Sequence, residues 1–99
     1  MAAAKKKKLK TYDWDPARYL RNDADIAAYL NAAFEEGDPA IVAAVLGDVA
    51  RSQGMAKIAK RTGLGRESLY KSLSRNGHPK VETLMKVVQA LGLKLQVAA

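Results

Sequence analysis

In the stretch KIAKRTGLGRESLYKSL, Lys57 to Leu73, a short helix with Leu69 and Leu73 inward turns Glu67, Lys71 and Arg75 outward and leaves Arg66 and Ser68 at its leading end. These side-chain types read base edges. Arginine donates two bonds to guanine, serine bonds several bases, and a carboxylate accepts from the amino group of cytosine. Lys57, Tyr70, Arg75 and Lys80 flank them where phosphates would lie, and such contacts set register and affinity rather than sequence choice. Glu67 and Lys71 also form an i,i+4 pair of favourable orientation, so bracing of the helix stands as an equal alternative for those two residues.

Side chains so placed need a support and a turn. Ile58, Ala59 and Thr62 supply the inner face of a preceding short helix, and Ala59 is small enough to let the next helix cross closely. Gly63 follows directly, where a left-handed backbone is cheap only for glycine. Leu64 plugs the turn and Gly65 completes it. This is the pattern of a helix-turn-helix, in which the second helix enters the DNA major groove.

The rest of the chain reads as helices around this pair. Asn22 or Asp23 caps a helix to about residue 36, in which Ile26, Tyr29, Leu30, Ala33 and Phe34 recur at helical spacing and Gly37 ends the run. On this helix Tyr29 and Phe34 read as core. Asp38 with Pro39 is a cap and a first-turn proline, and Val42, Val45, Leu46 and Val49 continue as a second stripe that Gly54 stops. Short helices over about 55–62 and 66–74 follow, closed by the turn-forming tract SRNGHP. A last helix over about 81–91 carries Leu84, Val87, Val88 and Leu91 on one face, with Lys80 a poor cap before it. Beyond Gly92, Leu93, Leu95 and Val97 alternate with Lys94 and Gln96, which predicts a short C-terminal β-strand in search of a partner. The expectation is an all-α fold of five helices with that strand appended. Residues 1–11 are expected to be a disordered basic tail, 12–22 an aromatic arm and 23–99 the helical domain.

Ninety-nine residues suffice for one small core. With no cysteine and only His78 as histidine, neither a disulfide framework nor a Cys/His metal site is expected, and a cytoplasmic location fits. No phosphate-cradling glycine loop surrounds Gly63 and Gly65, and no acid–base or nucleophile constellation surrounds His78, so neither catalysis nor a cofactor is expected. The basic start leads into Thr11, Asp13 and Asp15 rather than an apolar run, so no secretory signal or membrane span is expected.

Charge divides the chain. Residues 1–22 carry seven bases against two acids, residues 23–48 six acids and no Lys or Arg, and residues 49–99 ten bases against two acids. Two faces with two partners fit that division, one of the partners being a polyanion. The acidic segment would be repelled by DNA and complements a basic protein, with Glu35 and Glu36 as candidate contacts. Trp14 and Tyr19 precede the helical domain, and either fold back over it or anchor a partner protein.

From Gln53 to Leu95 the chain resembles the lambda-repressor-like helix-turn-helix proteins. More closely, DPARYL, DIAAYLNAAFEEGD, GMAKIAKRTGLGRESLYKSLS and VETLMKVVQALGLKLQV resemble the addiction-module antidote proteins, a HigA-like antitoxin group. The resemblance implies about five helices, a homodimer bound to a double-stranded operator, and a cognate toxin of the RelE-like ribonuclease kind encoded alongside. A phage-type repressor without a toxin is the alternative. The lysine tail and Lys80 depart from the group's pattern.

Overall fold

The computed structural model describes residues 22–99, which form five helices. These are α1 (Asp23–Glu36), α2 (Pro39–Gln53), α3 (Met55–Thr62), α4 (Arg66–Ser72) and α5 (Val81–Ala90). The tail, Trp14, Tyr19 and the rest of the arm before Asn22 lie outside the described residues.

The first two helices begin on side-chain caps. Asn22 Oδ1 accepts from the Asp25 amide at 2.9 Å, and Asp38 Oδ1 accepts from the Ala40 amide at 2.9 Å ahead of Pro39. Each cap satisfies a donor that the helix cannot pair internally. Gly37 ends α1 in the left-handed conformation, φ 75°, with its amide on the Phe34 carbonyl.

Ile26 and Leu30 of α1, Leu46 and Val49 of α2, Ile58 of α3, Leu69 of α4 with Leu73 just beyond it, and Val87 of α5 make one core. Fully burying a side chain of this size contributes about 1.5–3 kcal/mol. Helix α1 packs on α2, while α3 contacts α2, α4 and α5. Two polar ties help to fix the arrangement. Asp48 on α2 accepts from the Tyr29 hydroxyl of α1 at 3.1 Å and from Arg51 at 2.7 Å. Arg61 on α3 donates to the Ala90 carbonyl at the end of α5, at 2.9 Å, where a cation also favours the helix dipole.

Helices α2 and α4 meet through a glycine. A Cβ on Gly47, in the middle of α2, would stand 2.1 Å from the Leu73 carbonyl oxygen. Only a residue without a side chain lets that carbonyl come so close.

The expected C-terminal strand does not form, and no strand occurs among the described residues. Gly92, at φ 78°, turns the chain back at the end of α5. Its amide bonds the Gln89 carbonyl at 2.9 Å and the Leu93 amide bonds the Val88 carbonyl at 3.1 Å, a helix stop of the Schellman type. Leu93 is thereby drawn against the core, whereas Leu95 is 45% exposed and Val97 fully so. The alternation of LKLQV is real, but the described residues hold no edge strand for it to pair with, and an unpaired strand has no ladder to hold it. Helix α4 also stops two residues short of the expected end, and Leu91 caps α5 rather than continuing it.

Candidate nucleic-acid interface and partner-facing surfaces

Helix α4 owes its position to the turn before it. The Gly63 amide bonds the Ala59 carbonyl at 2.9 Å with φ 74°. Thr62 closes the same turn, its hydroxyl donating to the Ile58 carbonyl at 2.8 Å and accepting from the Leu64 amide at 3.2 Å. Leu64 packs half-buried on the core, and Gly65 stands at the start of α4. On α4 itself Leu69 is fully buried, as is Leu73 just after it. Their burial turns Glu67, Ser68 and Lys71 outward, Arg66 stands at the leading end of the helix, and all four are exposed.

Glu67, Ser68, Tyr70 and Lys71 line one shallow depression, which Ser74 and Asn76 extend. Neither of those last two residues was singled out in the sequence, although their place in the tract closing α4 was a usable signal. No ion pair joins Glu67 and Lys71, unlike the pairs Arg51–Asp48 and Lys86–Glu82. Both side chains therefore remain available to an outside ligand. Tyr70 is 42% exposed. Lys57, on α3, Arg75, in the turn after α4, and Lys80, at the start of α5, are all exposed around it.

The helices of the basic half also differ at their starts. Gly54, Gly65 and Lys80 precede α3, α4 and α5 without a side-chain cap, in contrast to Asn22 and Asp38 before α1 and α2. Between α4 and α5, Gly77 lies where a Cβ would meet the Ser72 carbonyl oxygen at 2.1 Å. His78, at φ 54°, precedes Pro79. A left-handed non-glycine residue is uncommon, and here it directs the chain from α4 toward α5.

The acidic side is built differently. Glu35 and Glu36 are exposed at the last turn of α1, which holds no basic residue. Carboxylates at a helix C-terminus oppose its dipole by about 0.3–1 kcal/mol each. Asp48 is engaged within the fold and so is not part of the outward acidic surface. Phe34, expected in the core, is 38% exposed beside Glu35, because α1 offers its buried stripe through Ile26, Leu30 and Ala33 instead. Tyr29 does pack against the core.

Residues 10–99 match the family model described as "probable addiction module antidote protein". The chain belongs to the addiction-module antidote family. An uncharacterized protein of Haemophilus influenzae is 42% identical over 85 residues, covering 86% of this antidote-family chain and 88% of that protein. No solved structure matches it. Membership of an antidote family implies a cognate toxin as partner. No helix of this family member is long and apolar enough, among the described residues, to cross a membrane.

Proposed function

We propose that the protein is a non-catalytic antitoxin that neutralises a RelE-like ribonuclease toxin and represses its own operon by binding an operator as a homodimer. The observation that carries the DNA half is the outward face of α4, where Arg66, Glu67, Ser68 and Lys71 stand exposed on a helix anchored by Leu69 and Leu73. In this reading the α3–α4 pair is a lambda-repressor-like helix-turn-helix. Arg66 and its neighbours read bases, while Lys57, Tyr70, Arg75 and Lys80 hold phosphates. A twofold axis would set two copies of α4 one DNA turn apart. Val81 and Met85, exposed four residues apart on α5, are apolar surface available to a second copy.

The toxin half draws on the family and on the acidic end of α1. A ribonuclease that grips RNA presents basic surface, which Glu35 and Glu36 complement. Their unfavourable place at a helix C-terminus makes sense if a partner supplies the missing positive charge. Trp14 and Tyr19 are the candidate aromatic anchors in that complex.

Gel-shift titration with the DNA upstream of the protein's own gene tests the first half. Arg66→Ala is expected to cost about 1–3 kcal/mol on the operator and to blur preference at one base pair. Lys57→Ala and Arg75→Ala should each weaken all sequences alike and flatten the salt dependence by about one unit. An unchanged operator affinity in Arg66→Ala would overturn the assignment of α4. Rescue of cells expressing the toxin encoded alongside tests the second half, and a chain that represses but never rescues would be a phage-type repressor.

A further inference from the structure

The depression beside α4 does not end with the helix. Glu67, Tyr70 and Lys71 mark one stripe of α4, and the space they line, about 690 Å³, continues to Ser74 and Asn76 in the turn that follows. Asn76 is exposed there, and among the described residues no hydrogen bond occupies its carboxamide. Asparagine is a common turn former, so its presence alone says little. Its mounting says more.

The turn is fastened to α4 on both sides of Asn76. Ser74 Oγ donates to the Lys71 carbonyl at 2.8 Å, and the Gly77 amide donates to the Ser74 carbonyl at 2.9 Å. Gly77 lies so close to the last turn of α4 that a Cβ there would stand 2.1 Å from the Ser72 carbonyl oxygen and 2.5 Å from that of Lys71. Only glycine allows that approach. Asn76 is therefore placed by the same helix that carries Glu67 and Lys71, with its amide pointing at no partner of its own.

We infer that Asn76 is a further base-reading residue and that the operator sets the adenine of an A·T pair opposite it. This rests on the reading of α4 as the helix that enters the major groove. A carboxamide has two donors and an acceptor. Its nitrogen donates to adenine N7 while its oxygen accepts from the adenine amino group, a two-bond match that no other base offers in the major groove. Arg75 and Lys80, charged and exposed to either side of Asn76 in the sequence, suit phosphates better than an uncharged amide does. From Glu67 to Leu73 the helix rises about 9 Å at 1.5 Å per residue, close to three base-pair steps of about 3.4 Å. With α4 lying along the groove, the pair met by Asn76 is thus about three steps from the pair met by Glu67, so the turn lengthens the sequence that one copy reads.

Gel-shift titration of the full-length protein tests this, with the DNA upstream of its own gene and duplexes in which that DNA is changed one base pair at a time. Asn76→Ala should bind the natural operator about 5- to 150-fold more weakly, should stop discriminating at one A·T pair, and should keep the salt dependence of the parent. Replacing the adenine of that pair with 7-deazaadenine, which lacks the N7 acceptor, should weaken the parent protein and leave Asn76→Ala unaffected. Far-UV circular dichroism should be the same for both proteins, since the side chain removed is exposed and unbonded. Undiminished operator affinity in Asn76→Ala would overturn the inference and leave Asn76 as a turn former. A loss that is equal on every duplex, with discrimination at each pair retained, would overturn it too, by making Asn76 a backbone contact. Failure of the underlying reading looks different: the parent protein would then bind the upstream DNA no better than an unrelated duplex.

Discussion

Gly47→Ala sets two physical effects of opposite sign against each other. Alanine is favoured over glycine inside a helix by about 1 kcal/mol, so if α2 were exposed at this point the substitution would stabilise the protein. The structure gives the reverse. The new Cβ would lie 2.1 Å from the Leu73 carbonyl oxygen, nearly an ångström inside the 3.0 Å below which real Cβ contacts are essentially never seen. The obstacle is main chain at the end of α4, and it cannot swing away as a side-chain tip can. Overpacking of this kind costs typically about 1–3 kcal/mol, with rigid obstacles at the upper end. After the helix-propensity gain is offset, a net loss of about 1–2 kcal/mol remains. For a domain of this size that lowers the melting temperature by roughly 5–15 °C. Urea and thermal unfolding followed by circular dichroism measure it. Ala32→Gly, at an exposed site on α1, calibrates the propensity scale in the same protein. A Gly47→Ala protein as stable as the parent, or more so, would refute the close approach of α2 to Leu73 and with it the account of how α4 is seated. Operator binding at low temperature, where the variant is still folded, should also weaken, because the carbonyl that must give way belongs to the residue ending α4.

The caps offer a cleaner case. Asn22→Ala and Asp38→Ala should each lose about 1 kcal/mol of unfolding free energy, and because the sites share no partner the double variant should lose the sum; a double variant no worse than either single one would mean that a cap is replaced by solvent. Reversing Glu35 and Glu36 to Lys should act in opposite directions on two readouts. Thermal stability should rise slightly, since cations suit a helix C-terminus, by about 0.3–1 kcal/mol per residue, while stopped-flow association with the toxin slows. A reversal that left the association rate untouched would remove these acids from the toxin surface.

Much of the fold was legible because its signals are local. A cap, a first-turn proline and a stopping glycine lie within a few residues of the helix they define, which is why Asn22, Asp38 with Pro39, Gly37 and Gly63 announce the boundaries the structure has. The outward placement of Glu67 and Lys71 on α4 follows equally from Leu69 and Leu73, since a buried pair fixes the rotation of a helix. What failed depended on distant partners. Leu93, Leu95 and Val97 have a strand's period, but a strand is a relation between two segments and the described chain contains no second one. Phe34 fits the apolar stripe of α1, yet whether an end residue is covered depends on what packs there. The approach of Gly47 to Leu73 links residues far apart in sequence, and the one available clue was a glycine inside a helix that would be more stable without it.

Helices α3 and α4 have only eight and seven residues. Helices that short are marginal in water by themselves, since isolated ones need about 12–15 residues. A synthetic peptide copying residues 55–73 would therefore be mostly coil, and grafting its sequence onto a foreign surface would not carry the base-reading geometry with it. The basic face is a collective property of the folded domain. Anything that pries α2 from α3 erases that face without touching one of its side chains.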